Sequence, residues 1–164
     1  GPFEQKYADS ITGERLNRLS EEERIEFLNQ VVMINSDNAA INEKNKAMAL
    51  NGELIAKADA YDPLPPEKEK EPLEVSEEIN RLVWAEAKKL RISGELLDMG
   101  KIIKCPVVAI HGDYDPHPAE GIREPLSRVL IDFSFILLEK CGHYPWTERY
   151  AKDKFYEILK NELK

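Results

Sequence analysis

Only two stretches of this chain read as sheet strands: Cys105-Pro106-Val107-Val108-Ala109-Ile110 and Phe133-Ser134-Phe135-Ile136-Leu137-Leu138. Short continuous apolar runs bounded by turn residues suit strands buried on both faces of a parallel sheet. Between them lies a helical segment with Leu126, Val129 and Leu130, and after them an amphipathic helix with Phe155, Ile158, Leu159 and Leu163. Strand, helix, strand, helix is a right-handed βαβ crossover followed by a covering helix, an α/β arrangement. Two parallel strands leave both outer edges open and cannot cover their own apolar faces. The expectation is that further strands come from residues upstream of Gly1. The Gly1-Pro2-Phe3 start, without an initiator Met, fits the back part of a longer chain, a cut leader or a protease scar from a tag.

The first hundred residues carry a different period. Ser20-Glu21-Glu22-Glu23 is a capping-box signature, and behind it Ile25, Leu28, Val31 and Val32 form an apolar stripe. A second helix is predicted over 39–60, with Ala47, Leu50, Leu54, Ile55 and Ala58 on one face. Tyr61-Asp62-Pro63-Leu64-Pro65-Pro66 ends it, because proline lacks the N–H donor and clashes with the preceding turn. Residues 63–75 read as a solvated Pro/Glu/Lys connector; the six Glu and two Lys between Glu67 and Glu78 carry half of the chain's net charge. Ser76-Glu77-Glu78 caps a third helix with Ile79, Leu82, Val83, Ala87 and Leu90 facing inward. A short helix near 94–99 is expected to end at Gly100 in the left-handed conformation.

Composition removes several classes of function. With 23 Lys+Arg against 31 Asp+Glu in 164 residues, the net charge of −8 argues against nucleic-acid binding, which needs clustered cations. No run of about eighteen apolar residues predicts a membrane span, and no basic-then-apolar leader is visible. Two cysteines are too few for a disulfide scaffold, and a cytoplasmic protein is expected. The glycines are scattered singly, so there is no phosphate-cradling loop and no cofactor is implied.

Candidate chemistry gathers just past the two strands, where sites in open α/β sheets form. One loop is His111-Gly112-Asp113-Tyr114-Asp115-Pro116-His117-Pro118; the other is Cys141-Gly142-His143-Tyr144-Pro145-Trp146. Adjacent parallel strands would set these loops side by side. A carboxylate next to an imidazole fixes one tautomer and stabilises the imidazolium, which makes the ring a general base.

Ile103 to Pro116, followed by Glu139-Lys140-Cys141-Gly142-His143-Tyr144-Pro145-Trp146-Thr147-Glu148, resembles the C-terminal half of an α/β-hydrolase. The resemblance implies that Asp115, in the His-Gly-x-x-Asp turn, is the catalytic acid and that His143, in the Gly-His-x-Pro turn, is the catalytic base. It also implies a helical cap or lid over residues 1–100, with the connector inside it, and the β-α-β-α end of the core over 101–164. No Gly-x-Ser-x-Gly elbow occurs in the chain, so the implied acid–base pair lacks its nucleophile and oxyanion loop. The implied whole protein is a serine hydrolase acting on an ester, amide or related carbonyl of a small molecule, completed by an N-terminal half or another chain. The 164 residues alone are expected to be inactive. The rival expectation is a non-catalytic assembly module whose open sheet edge pairs with another chain or a second copy of itself.

Other readings stay open at this stage. Asp113 is the alternative acid. His111, Asp113, Asp115 and His117 alternate and would share one side of a straight strand as metal ligands, although Pro116 and Pro118 oppose a continued strand. Cys141 reads as a small buried hydrophobe rather than a nucleophile, because neighbours so close to His143 rarely meet in attack geometry. Cys105 and Cys141 sit at opposite ends of adjacent strands, beyond disulfide reach. Met48, Leu50, Leu54 and Tyr61 either line an acyl pocket or simply pack helices, and Tyr144 and Trp146 either wall a pocket or anchor the last helix.

Overall fold

The computed structural model describes residues 2–65 and 76–163. Its helices are α1 (Gln5–Ala8), α2 (Ile11–Asn17), α3 (Glu21–Ile34), α4 (Ile41–Asp59), α5 (Glu77–Ser93) and α6 (Glu95–Asp98), then α7 (Glu120–Val129) and α8 (Lys152–Glu162). Two strands, β1 (Val107–Gly112) and β2 (Phe133–Leu138), flank α7. The chain is a mixed α/β protein dominated by helix, and among the described residues no helix is long and apolar enough to cross a membrane.

The strands pair in parallel with Val107 opposite Phe133 and Gly112 opposite Leu138, so β1–α7–β2 is the expected βαβ unit. Ile110, Ile136 and Leu138 pack with Cys141, Ala151, Phe155 and Ile158, which seats α8 on one face. On the other face Phe135 lies beneath the Arg123 guanidinium of α7. The strands were expected to be buried on both faces, but most of their residues are half-buried and Leu137 is exposed. The reason is architectural: β1 and β2 each have one outer edge with no strand partner among the described residues.

Helix α3 begins as its sequence dictates. The Ser20 side chain accepts from Glu23 N–H, while the Glu23 carboxylate accepts from Ser20 N–H. Its buried face differs from the expected stripe, however. Phe27 is buried and Val31 packs beside it, against Leu19, Leu54, Ile55 and Ala58, whereas Ile25, Leu28 and Val32 are exposed. Apolar residues occupy two sides of α3, and contact with α4 selects the side that carries the large Phe27 ring. The expected inner face of α4 holds, with Ala47 and Ala58 buried and Leu54 and Ile55 in the cluster.

The third helix corrects the sequence reading more sharply. Ser76 caps α5 by accepting from Ile79 N–H, but Ile79, Leu82 and Val83 are 65%, 54% and 59% exposed. Only Ala87 and Leu90, toward the C-terminal end, are half-buried. Periodicity gave α5 an apolar side, and none of the described elements covers the first two turns of it. Gly94, at φ +82°, takes the left-handed cap that was expected of Gly100. Gly100 instead lies in a 3₁₀ turn over Met99–Ile102, where an added Cβ would stand 2.8 Å from Val129 Cγ2.

The charged part of the expected connector, 66–75, lies outside the described residues. Its first residues are pinned rather than free: Pro63 bridges Glu148, and Leu64 N–H donates to the Thr147 carbonyl at 2.8 Å.

Candidate active site

Parallel pairing continues past the strand ends and sets the two loops against each other. Asp113 N–H donates to the Leu138 carbonyl and Tyr114 N–H to the Cys141 carbonyl, each at 2.9 Å. The backbones approach so closely that a Cβ on Gly112 would lie 2.1 Å from the Cys141 oxygen. Lys140, at φ 53°, turns the chain from β2 into the second loop. A left-handed conformation is uncommon for a side-chain-bearing residue and marks a turn held by its surroundings.

This juxtaposition brings Asp115 and His143 together across 28 positions, with His143 Nδ1 2.7 Å from Asp115 Oδ2. A carboxylate accepts, so that ring nitrogen carries the proton and Nε2 is left with its lone pair. Nε2 has no hydrogen-bond partner among the described residues, and the His143 side chain is 33% exposed. The ring borders a cleft of about 200 Å³ lined also by His111, Asp115, His117, Ile122 and Pro145. Among the described residues, no hydroxyl or thiol lines that cleft.

Asp115 serves more than one imidazole. Its Oδ1 accepts from the His117 backbone N–H at 2.8 Å and lies 2.6 Å from His117 Nδ1. The His117 ring stacks on His143 with centroids 4.7 Å apart. His111, on β1, is buried; its Nδ1 donates to the Gly112 carbonyl at 2.8 Å and its Nε2 stands 3.7 Å from Asp115 Oδ2. All three histidines of the chain therefore surround one carboxylate. Burial raises the Asp115 pKa, but the hydrogen bonds from His117 and His143 outweigh it and hold the carboxyl well below its ordinary value.

Asp113, the alternative acid, is used otherwise: its Oδ1 accepts from Cys141 N–H at 3.1 Å and braces the neighbouring loop. The four-residue alternating ligand set is not assembled, because the chain turns after Gly112 and Asp113 faces Cys141 rather than the histidines. Cys141 is fully buried, and its thiol is pushed up to about 12, first by burial and then by Glu148, Asp113 and Asp115, so it is no thiolate nucleophile. Cys105 and Cys141 are both free.

The chain matches no family model, no curated protein and no solved structure.

What holds His143 comes largely from the helical half. His143 N–H donates to the Asp59 carbonyl at 2.8 Å, at the end of α4. The Asp59 side chain is fully buried and takes a bidentate pair from Arg15 Nε and Nη2, both at 2.7 Å. Glu148, also fully buried, accepts from Tyr61 N–H and Asp62 N–H at 2.8 Å and from Gly142 N–H at 3.0 Å. A Cβ on Gly142 would stand 2.1 Å from the Asp59 oxygen and 2.6 Å from Glu148 Oε1, so this docking requires glycine. Arg18 ties the acid loop to the same place, donating to the carbonyls of Ala58 and Tyr114 and lying 3.9 Å over the Tyr114 ring.

Sequence reasoning missed Arg15, Arg18, Asp59 and Glu148, and it missed His117 as a partner of Asp115. A usable signal for His117 was that every histidine falls at the end of β1 or in the two loops that follow the strands. The buried carboxylates carried no such signal, since their partners lie 44 and 86–87 positions away. Of the proposed pocket residues, Leu54 packs in the α3–α4 cluster, and Tyr61 meets Tyr114 and Tyr150 edge-on. Trp146 leans on Phe155 of α8, while Tyr144 sets its ring against His143.

Proposed function

We propose that this chain supplies the acid–base part of a hydrolase, with His143 as general base and Asp115 as the group that orients it. The observation that supports the reading best is the 2.7 Å contact between Asp115 Oδ2 and His143 Nδ1, with the ring lining the cleft and Nε2 without a hydrogen-bond partner among the described residues. A base held in one tautomer by an ionised carboxylate takes a proton from a hydroxyl and later returns it to the leaving group. In this proposal the hydroxyl belongs to a serine on a nucleophile elbow outside these 164 residues, in the manner of the α/β-hydrolases that the two loop motifs resemble. The substrate class is a small-molecule ester, amide or related carbonyl, and the outer edge of β1 takes the next strand of the sheet.

The test is intact mass before and after a fluorophosphonate probe, on the whole gene product that contains this chain and on the 164 residues alone. The whole product is expected to gain one adduct and the 164 residues none, with His143→Ala slowing labelling by at least about 10³-fold. A whole product that takes no adduct would overturn the reading. It would favour the assembly module instead, which the unpartnered strand edges and the uncovered side of α5 also fit.

A further inference from the structure

We propose that Asp115, His117 and His143 form a binding site for one divalent late-transition-metal ion of the zinc class, and that occupancy of this site removes His143 from acid–base work. The catalytic consequence rests on the function proposed above; the binding itself does not.

One ligand atom from each of the three residues lies within 4.8 Å of the other two. Bonds of about 2.0–2.1 Å in a tetrahedral shell put ligand atoms about 3.3 Å apart, so the widest of these separations has to close by no more than about 1.5 Å. Each imidazole already has its Nδ1 within 2.7 Å of an Asp115 oxygen, so the closure needed is between the two rings. Two imidazoles and a carboxylate are the ligand mix that zinc and its neighbours prefer over calcium or magnesium, and three protein ligands leave a fourth position for water.

The surroundings add a second, independent observation. His111 is buried and lies on β1, outside the three-residue cluster, yet its Nε2 stands 3.7 Å from Asp115 Oδ2. Its Nδ1 proton is committed to the Gly112 carbonyl. That places a third imidazole nitrogen beside the carboxylate that the two ligand histidines share.

Zinc binding is to be measured by equilibrium dialysis on the untagged 164-residue chain in a Cys105→Ser background, which removes the exposed thiol as a competing ligand. One zinc per chain is expected, with His117→Gln and His143→Gln each weakening it by roughly 10–100-fold or more while circular dichroism is unchanged. Cobalt substitution is expected to give the intense visible absorption of a tetrahedral site, lost in His117→Gln. Substoichiometric zinc, or binding that survives His117→Gln, would overturn the site. Failure of the hydrolase reading shows separately, as a whole gene product that takes no fluorophosphonate adduct whatever its metal content.

Discussion

The loops after β1 and β2 and the helix α5 solve opposite problems. In the loops almost every buried polar group is paired: Glu148 with three backbone N–H groups, Asp59 with Arg15, and Asp115 with His117 and His143. Along α5, by contrast, Ile79, Leu82 and Val83 lie open. One region is fixed by directional bonds that tolerate no substitute; the other has an apolar side awaiting a cover. The contrast shows where stability of the chain resides. The end of α4, at Asp59 to Asp62, belongs physically to the histidine loop rather than to a detached lid.

The sharpest way to break this contrast is to remove the Glu148 carboxylate. Glu148→Ala strands three N–H groups in the interior at about 1–3 kcal/mol each, so a loss of roughly 4 kcal/mol or more is expected in urea unfolding. A cost below about 1 kcal/mol would mean that the Asp59–Asp62 segment is not held as described. Arg15→Ala leaves Asp59 buried without its cation and is expected to cost about 3 kcal/mol or more. A double-mutant cycle of Arg15→Ala with Glu148→Ala should be non-additive, because both act on the contact between the end of α4 and the histidine loop.

The acid response is expected to be smaller and has a definite sign. Because the folded-state pKa of Asp115 is depressed below its ordinary 3.8, its contribution is fully present above that value and is lost as pH falls toward the lower folded one. Stability measured from pH 6 to 2.5 should therefore fall less steeply below pH 4 in Asp115→Asn than in the parent. The smallest effect belongs to α5: Leu82→Ser or Val83→Ser should change stability by no more than about 0.5 kcal/mol, since neither side chain is covered. A cost of 2 kcal/mol would show that something in solution covers that face.

Much of the candidate site was legible because its signals are local. Turn residues after two apolar runs placed Asp115 and His143 in neighbouring loops, and parallel register then brought them within hydrogen-bond distance. Ser20 and Ser76 announced the starts of α3 and α5 for the same reason, since a cap is decided within four residues. Helix faces were legible only where one stripe was available. Ala47 and Ala58 were correctly placed, but the choice between Phe27 and Leu28 depended on which side α4 approached.

By itself, then, the sequence determined the order of elements from α3 onward, the parallel pairing of β1 with β2 and the two loops that carry acid and imidazole, but not the short helices α1 and α2. These follow from periodicity, proline and capping, all short-range along the chain. Only the tertiary structure decided that Asp115 is shared by His117 and His143, that Asp113 serves the backbone, and that Asp59 and Glu148 are buried while Ile79 and Val83 are not. A carboxylate goes inside only where distant N–H groups or a guanidinium converge on it, and an apolar side chain goes inside only where another surface arrives to cover it. Both conditions are set by segments that the local pattern does not contain.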